Sequence, residues 1–311
     1  MRLPDVRKWF ARSRVPPPDP DDDDDAATDG PADGAPVPGA ARARPAMPFS
    51  RDRCDLLDQL CGEGHLLPGG DAEIVRLAAP LGVSAASSVL LISAGLGGPP
   101  RALALALGAW VTAYESDSAA AAVAAVRLQK FNKELAKRVT VERHDARDPV
   151  FRANGFHHAI ALDPIRDGDP RELLTAMTSA LKPAGQVVLI QMTADVPLDP
   201  DDPAIAAWCR LERRPPVLPS ATEITKALSA LSYDVRVVED ISSRHMRLVV
   251  QGWKTVLRAM AGTKPSTGEA SAMVAEAELW MRRVRLIHAG RLRLMRWHAI
   301  SRVGTIMIPG R

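Results

Sequence analysis

The stretch Val89–Asp117, VLLISAGLGGPPRALALALGAWVTAYESD, decides the fold. It opens on Val89–Ile92, an apolar run short enough for a strand covered on both faces. Ser93-Ala94-Gly95-Leu96-Gly97-Gly98 follows, a turn whose missing side chains let a ligand approach the backbone closely. The pattern then predicts a helix over Pro100–Leu107 and a second strand over Trp110–Tyr114. Glu115 comes 20 residues after Gly95, where nucleotide-binding α/β folds set a carboxylate on ribose hydroxyls. Strand, turn, helix, strand and acid together predict a site for an adenosine-containing ligand.

The kind of ligand can be narrowed. A dinucleotide clasp needs G-x-G-x-x-G, so that pyrophosphate can sit on the helix N-terminus. Here Pro100 takes the third glycine position and Pro99 precedes it, removing two amide donors where phosphate would need them. No G-x-x-x-x-G-K-[ST] occurs, which excludes a P-loop, and the same prolines count against a nicotinamide oxidoreductase. An adenosine ligand without phosphate, such as S-adenosyl-L-methionine, suits this turn better.

Val89–Gly98 resembles the first motif of class I S-adenosylmethionine-dependent methyltransferases. The upstream loop Gly62-Glu63-Gly64-His65-Leu66-Leu67-Pro68-Gly69-Gly70 is similar to that of the small-amine and phosphobase branch. The resemblance continues through Asp145-Ala146 and Leu181–Gln186 and covers roughly residues 50–240. It implies an α/β fold: a doubly wound, mostly parallel, seven-stranded Rossmann-like sheet with helices on both faces and an antiparallel final strand. It also implies that Ser93, Gly95, Gly97, Glu115, Asp145 and Ala146 hold the cofactor S-adenosyl-L-methionine. In the family the residue matching Asp145 accepts from the adenine amino group, and the next backbone unit reads the ring. The loop would fold over the methyl-donor end and turn His65 to the substrate; the bland reading is an exposed loop histidine. The chain departs from the family at Leu91, where an acid is usual, and at Ser93, where glycine opens the turn. The phosphobase branch uses a Tyr–His pair near the loop. The only tyrosines here are Tyr114 and Tyr233, which argues against phosphoethanolamine as substrate.

Composition bounds the rest. The chain has 311 residues, 46% apolar, with only 4% aromatic, so its core is aliphatic. A net charge of +3 is too mild to imply nucleic-acid binding, and no Asn/Asp-Pro-Pro-aromatic site appears. Cys54, Cys61 and Cys209 give neither a disulfide framework nor a metal spacing, and Cys54 and Cys61 fall on the core face of a predicted helix, Arg51–Leu60. No signal core or transmembrane run is present, so the cytoplasm is the expected location.

Three regions are expected: a disordered tail over 1–48, a methyltransferase-like domain over 49–262, and a helix with a basic final segment over 263–311. The tail holds 10 of the 26 prolines and the run Asp21–Asp25, a composition that cannot repay ordering. Its first 14 residues are basic, with Trp9 and Phe10, and read as a partner or surface anchor or as a frayed end. No Asp or Glu follows Glu278, whereas eight arginines lie beyond residue 280. These basic termini suggest weak peripheral membrane or protein contact. Leu292–Ile300 reads as the last strand of the sheet or as an amphipathic helix on anionic lipid.

Between these ends, Asp71 is expected to cap a helix over Ala72–Leu81, and Ser118–Phe131 to form the helix after Glu115. Val139–Arg143 and His158–Leu162 read as strands ending at His144-Asp145-Ala146 and Asp163-Pro164. Asp163 therefore emerges where open α/β sheets bind ligands, to touch substrate, to hold the helix that does, or to cap the strand. The fifth strand is expected over Gln186–Gln191. The proline- and acid-rich excursion Ala194–Ser220 after it has the length of a lid or specificity element. The function that results is transfer of a methyl group by direct displacement to nitrogen or oxygen of a small-molecule substrate. The alternative is a catalytically silent binding or scaffold protein. Methyl transfer needs alignment and desolvation more than a catalytic motif, so the sequence names no catalytic residue.

Overall fold

The computed structural model describes residues 49–166 and 168–302. The expectations for residues 1–48 and for the last nine residues lie outside them. In the first half, α1 (Arg51–Cys61) and α2 (Gly70–Ala78) precede β1 (Ser88–Ile92), α3 (Gly98–Leu107), β2 (Trp110–Glu115), α4 (Ser118–Leu128), α5 (Lys133–Arg138) and β3 (Val139–Arg143). The second half runs through β4 (Phe156–Leu162), α6 (Arg171–Ser179), β5 (Leu181–Thr193), α7 (Pro203–Glu212) and α8 (Ala221–Ala230). It closes with β6 (Tyr233–Asp240), α9 (Ser242–Ala259), α10 (Thr267–His288) and β7 (Arg293–Ser301).

The strands form one seven-stranded sheet in the order β3-β2-β1-β4-β5-β7-β6. Pairing is parallel from β3 to β5, as in Ile92↔Tyr114, whereas β7 runs antiparallel to both β5 and β6. Strand order reverses between β1 and β4, which places a crevice at the carboxyl ends of those strands.

Residues of β1 alternate between the faces of the sheet, as the period of two requires. Val89 and Leu91 join a core shared with α2 and α3, and Leu90 and Ile92 join one shared with α6 and α8. All four are fully buried, which is why the strand reads as a continuous apolar run. A third cluster sets α1, α9 and α10 against Leu96 of the turn, with Leu57, Leu60, Trp253 and Trp280 at its centre. Gly252 makes that helical layer close-packed: a Cβ there would lie 2.0 Å from the Leu60 carbonyl oxygen of α1. Cys54, Cys61 and Cys209 are all buried in these cores.

Side chains cap several helix starts. Asp117 accepts from Ala119 and Ala120 N–H at 2.8 and 3.1 Å, and Ser220–Glu223 and Ser266–Glu269 form capping boxes for α8 and α10. Asp71 is a correction. Gly69 occupies the N-cap position of α2, and Asp71 sits inside the first turn, where two other side chains engage it. The short helix α5 and the early start of β5 at Leu181 were also missed. Asn132 starts the former by accepting from Leu135 N–H, and Leu181 pairs with Phe156 in the latter.

The basic final segment is a strand, with Leu294, Trp297 and Ala299 buried and Leu189 of β5 opposite Trp297. Three arginines in or beside it are matched within the chain: Arg291 with Asp202 at 3.2 Å, Arg293 with Asp195 at 3.3 Å, and Arg296 with Glu239 at 2.8 Å. No described helix is long and apolar enough to cross a membrane.

Candidate functional site

The carboxyl ends of β1 to β4 open into one cleft of about 1070 Å³. One side of it begins at the turn after β1. Ser93 has φ 68°, a left-handed conformation that favours glycine, and Gly95 and Gly97 follow at 61° and 96°. Ser93 and Ala94 N–H both donate to the Tyr114 carbonyl, at 2.9 and 3.0 Å, tying the turn to β2. Pro99 and Pro100 occupy the first turn of α3, where a missing N–H costs no helical bond.

The glycine-rich loop 62–70 lies directly on this turn. The Gly64 carbonyl accepts from Leu96 and Gly98 N–H, each at 3.0 Å. Any Cβ on Gly98 would come within 2.6 Å of the Glu63 carbonyl oxygen, so backbone approaches backbone here. The loop is anchored in turn by Asp58, which accepts from Gly64 N–H at 2.8 Å and pairs bidentately with Arg127.

Glu115 ends β2 and is only 6% exposed. Its Oε2 accepts from Gly95 N–H at 2.8 Å and its Oε1 from Asp117 N–H at 3.0 Å. Burial raises its pKa, while those backbone donors oppose the rise. A carboxylate has about four acceptor sites, so the backbone donors leave acceptor capacity for a ligand. Asp145 is exposed on the rim and accepts from Arg147 N–H at 2.9 Å, a turn that fixes the Ala146 backbone beside it.

His65 is almost fully buried in the cleft wall. Its Nε2 donates to Asp71 at 2.7 Å, and Arg101 donates to the same carboxylate oxygen at 2.8 Å. Burial lowers the His65 pKa, although Asp71 acts against it, so the ring is neutral near pH 7. Its Nδ1 has no hydrogen-bond partner among the described residues. Asp163 has φ 52° and is heavily engaged. Its Oδ1 accepts from Gln191 Nε2 at 2.7 Å and Met192 N–H at 2.9 Å, and Arg214 lies 3.5 Å from Oδ2. The fold thus brings together Ser93, Gly95, Glu115, Asp145, Ala146, His65 and Asp163 around one cavity. Gly97 stands apart: it faces Ala124 of α4, 3.5 Å from where its Cβ would be, and serves helix packing.

The far side was not anticipated in detail. It is built from Phe49 and α1, the segment after β4, the end of α7, and α10. Buried Arg283 pairs with buried Glu212, which also accepts from Trp208 Nε1 at 3.2 Å. Buried Glu276 accepts from Arg53 at 2.7 Å and from Trp280 Nε1 at 3.1 Å. The Arg283 guanidinium stacks 4.5 Å over the Trp280 ring. The excursion after β5, expected as a lid or specificity element, contributes the end of α7 to this side; the ion pairs join residues too distant in sequence to be paired from it.

Neither a family model nor a curated sequence matches the chain. Solved structures do. Phosphoethanolamine N-methyltransferase 2 of Haemonchus contortus, in complex with phosphomonomethylethanolamine and S-adenosylhomocysteine, aligns with 81% of this chain at TM-score 0.68 and 18% identity. This chain spans 58% of the length of that protein. The chain has the class I methyltransferase fold. Geranyl diphosphate C-methyltransferase of Streptomyces coelicolor A3(2) shares it at TM-score 0.57 and 14% identity, over 74% of this chain and 80% of that one. So does the cyclase SpnF, at TM-score 0.58 and 17% identity, over 81% and 94% of the two chains. The methyltransferase fold therefore carries nitrogen methylation, carbon methylation and cyclisation in these neighbours, and the reaction must be argued from the site.

Proposed function

We propose that this protein is an S-adenosylmethionine-dependent methyltransferase acting on a nitrogen or oxygen of a small molecule. The observation that carries the reading is the Glu115 carboxylate, held by Gly95 N–H at the end of β2 with acceptor capacity left over. A turn bare of side chains lies beside it, and the cleft is large enough for a nucleoside and an acceptor together. The residues present therefore fit the cofactor. Glu115 would take the ribose hydroxyls, Asp145 and the Ala146 backbone the adenine, and Ser93 and Gly95 the amino-acid end.

When bound, S-adenosylmethionine supplies a methyl group on a sulfonium, already a good leaving group. The chain's own work is then to orient the acceptor, exclude water and handle a proton. Loop 62–70 closes one wall, and α7 with α10 closes the other. His65 is the side chain suited to the proton: Asp71 holds its Nε2–H and leaves Nδ1 as the basic atom. Asp163 acts at one remove, holding the end of β4 against β5.

A non-catalytic binding role is the alternative, and Leu91 favours it. It stands where the family has an acid and is fully buried in the apolar core. The two readings separate in a turnover assay with radiolabelled S-adenosylmethionine and a panel of amines, phenols and acids. Enzymatic function predicts acceptor-dependent S-adenosylhomocysteine release that Glu115→Ala abolishes. Cofactor binding without any such release across the panel would favour the binding role.

A further inference from the structure

Among the described residues, the far side of the cleft sorts its charges into pairs with one left over. Arg53 faces Glu276, Arg283 faces Glu212, Arg214 faces Asp163, and Arg213 reaches Asp117 at 3.8 Å. Arg166 also lines this side, and no carboxylate lies within ion-pair distance of it among the described residues. Its Nη2 donates to the Glu212 carbonyl at 2.6 Å, and the rest of its guanidinium, half-buried in the cleft wall, is unassigned. A guanidinium presents five donors in a fixed fork that matches a planar carboxylate.

The backbone just before Arg166 is anchored. Ile165 N–H donates to Gln191 Oε1 at 2.9 Å, and the Ile165 carbonyl accepts from Gln191 and Arg214, each at 3.0 Å. With that anchor and its bond to the Glu212 carbonyl, the fork is held at the cleft wall, which lowers the ordering cost of binding. Leu57, Leu211 and Leu279 line the same side and offer apolar contact. On this side, among the described residues, one unmatched positive charge suits a monoanion; a phosphate monoester would bring close to two negative charges at neutral pH.

We infer that the methyl acceptor is a carboxylic acid with an apolar body, its carboxylate docked on Arg166. This rests on the methyltransferase reading for the word acceptor, and on the charge pattern alone for the carboxylate. The side chain is a specificity determinant, distinct from the atoms that would contact the cofactor.

The test uses the full chain and three probes of one shape: benzoate, benzamide and phenyl phosphate, titrated by ligand-observed NMR with and without S-adenosylhomocysteine. Benzoate is expected to bind at least about tenfold more tightly than benzamide, the effect of one charge-assisted contact. It should also bind more tightly than phenyl phosphate. Arg166→Gln should remove the preference while S-adenosylhomocysteine affinity stays within about twofold, and Arg166→Lys should keep part of it. Arg258→Gln, which removes an exposed arginine outside the cleft, should keep all of it. Equal binding of benzoate and benzamide, tighter binding of phenyl phosphate, or a preference that survives Arg166→Gln would overturn the inference. If Arg166→Gln does not fold, the wild-type ranking of the three probes still decides. Cofactor binding without carboxylate preference would sink this inference alone. Carboxylate preference without cofactor binding would sink the methyltransferase reading and leave the docking site standing.

Discussion

The two sides of the cleft are built on different principles. The glycine-turn side is local: β1, the glycine turn, α3, β2 and Glu115 follow one another within Val89–Glu115, and backbone amides tie it together. The far side is assembled from residues as distant as Arg53 and Glu276 or Glu212 and Arg283, and buried ion pairs hold it. A local turn is constrained by backbone geometry that few residues satisfy, whereas a wall of side chains can change without unfolding the sheet. Neighbours of shared fold and divergent chemistry are what such a division allows.

The comparison can be broken first at its most expensive joint. Arg283→Met leaves Glu212 buried and unpaired, and should lower unfolding free energy by about 3–5 kcal/mol in denaturant melts. The double replacement Arg283→Met with Glu212→Leu should recover most of that loss, because the desolvation of both charges is removed together. Equal loss in the single and double variants would show that the pair is not what holds this wall.

On the glycine-turn side the corresponding break is Gly98→Ala. Its Cβ meets backbone atoms of loop 62–70 on two residues, so overpacking of about 1–3 kcal/mol is expected, with a larger loss of cofactor affinity than Arg283→Met gives. Calorimetry on both variants measures the contrast. A Gly98→Ala protein that binds cofactor like the wild type would show that the loop does not shape that side.

A pH titration sharpens the difference, since the most strongly shifted neutral imidazole lies behind the far wall. His245 is buried beside Trp280, and burial with the nearby Arg283 charge pulls its pKa down to about 3. Its neutral form stabilises the fold above the unfolded value near 6.5, and that contribution is lost as pH falls through 6.5 toward 3. The unfolding free energy should therefore fall over that window, by at most about 1.4 kcal/mol per pH unit for this group. His245→Phe should flatten the dependence, and an unchanged slope would contradict the assignment.

The smallest effect is expected at Ser93→Gly. Relief of the left-handed strain opposes the added freedom of the unfolded chain, so stability should change by less than about 1 kcal/mol. A larger loss would mean that the serine side chain has a role the turn geometry does not reveal.

The sequence showed the local side well and the assembled side poorly, for the same physical reason. Val89–Ile92 announced a doubly buried strand, and the resemblance supplied the antiparallel partner that Arg293–Ser301 proved to be. Ser93, Gly95 and Glu115 converge because they are neighbours along one strand–turn–helix unit. Gly97 belonged to the same motif yet faces Ala124, because a glycine can serve helix packing as readily as a ligand. Asp71 looked like a cap because a short acid before an apolar run usually is one; only the folded loop brings His65 and Arg101 to it. Arg166, Glu212, Glu276 and Arg283 carry no local pattern, because only the packed helices bring them together.

The account turns on whether this cleft holds S-adenosylmethionine through Glu115. Isothermal titration of the folded chain with S-adenosylmethionine and S-adenosylhomocysteine, with NADH as control, measures that directly. Micromolar binding of the first two, weakened about a hundredfold or more by Glu115→Ala, is the predicted result, the loss expected from charge-assisted hydrogen bonds to two hydroxyls. No binding at millimolar ligand, or binding that ignores Glu115→Ala, would contradict it.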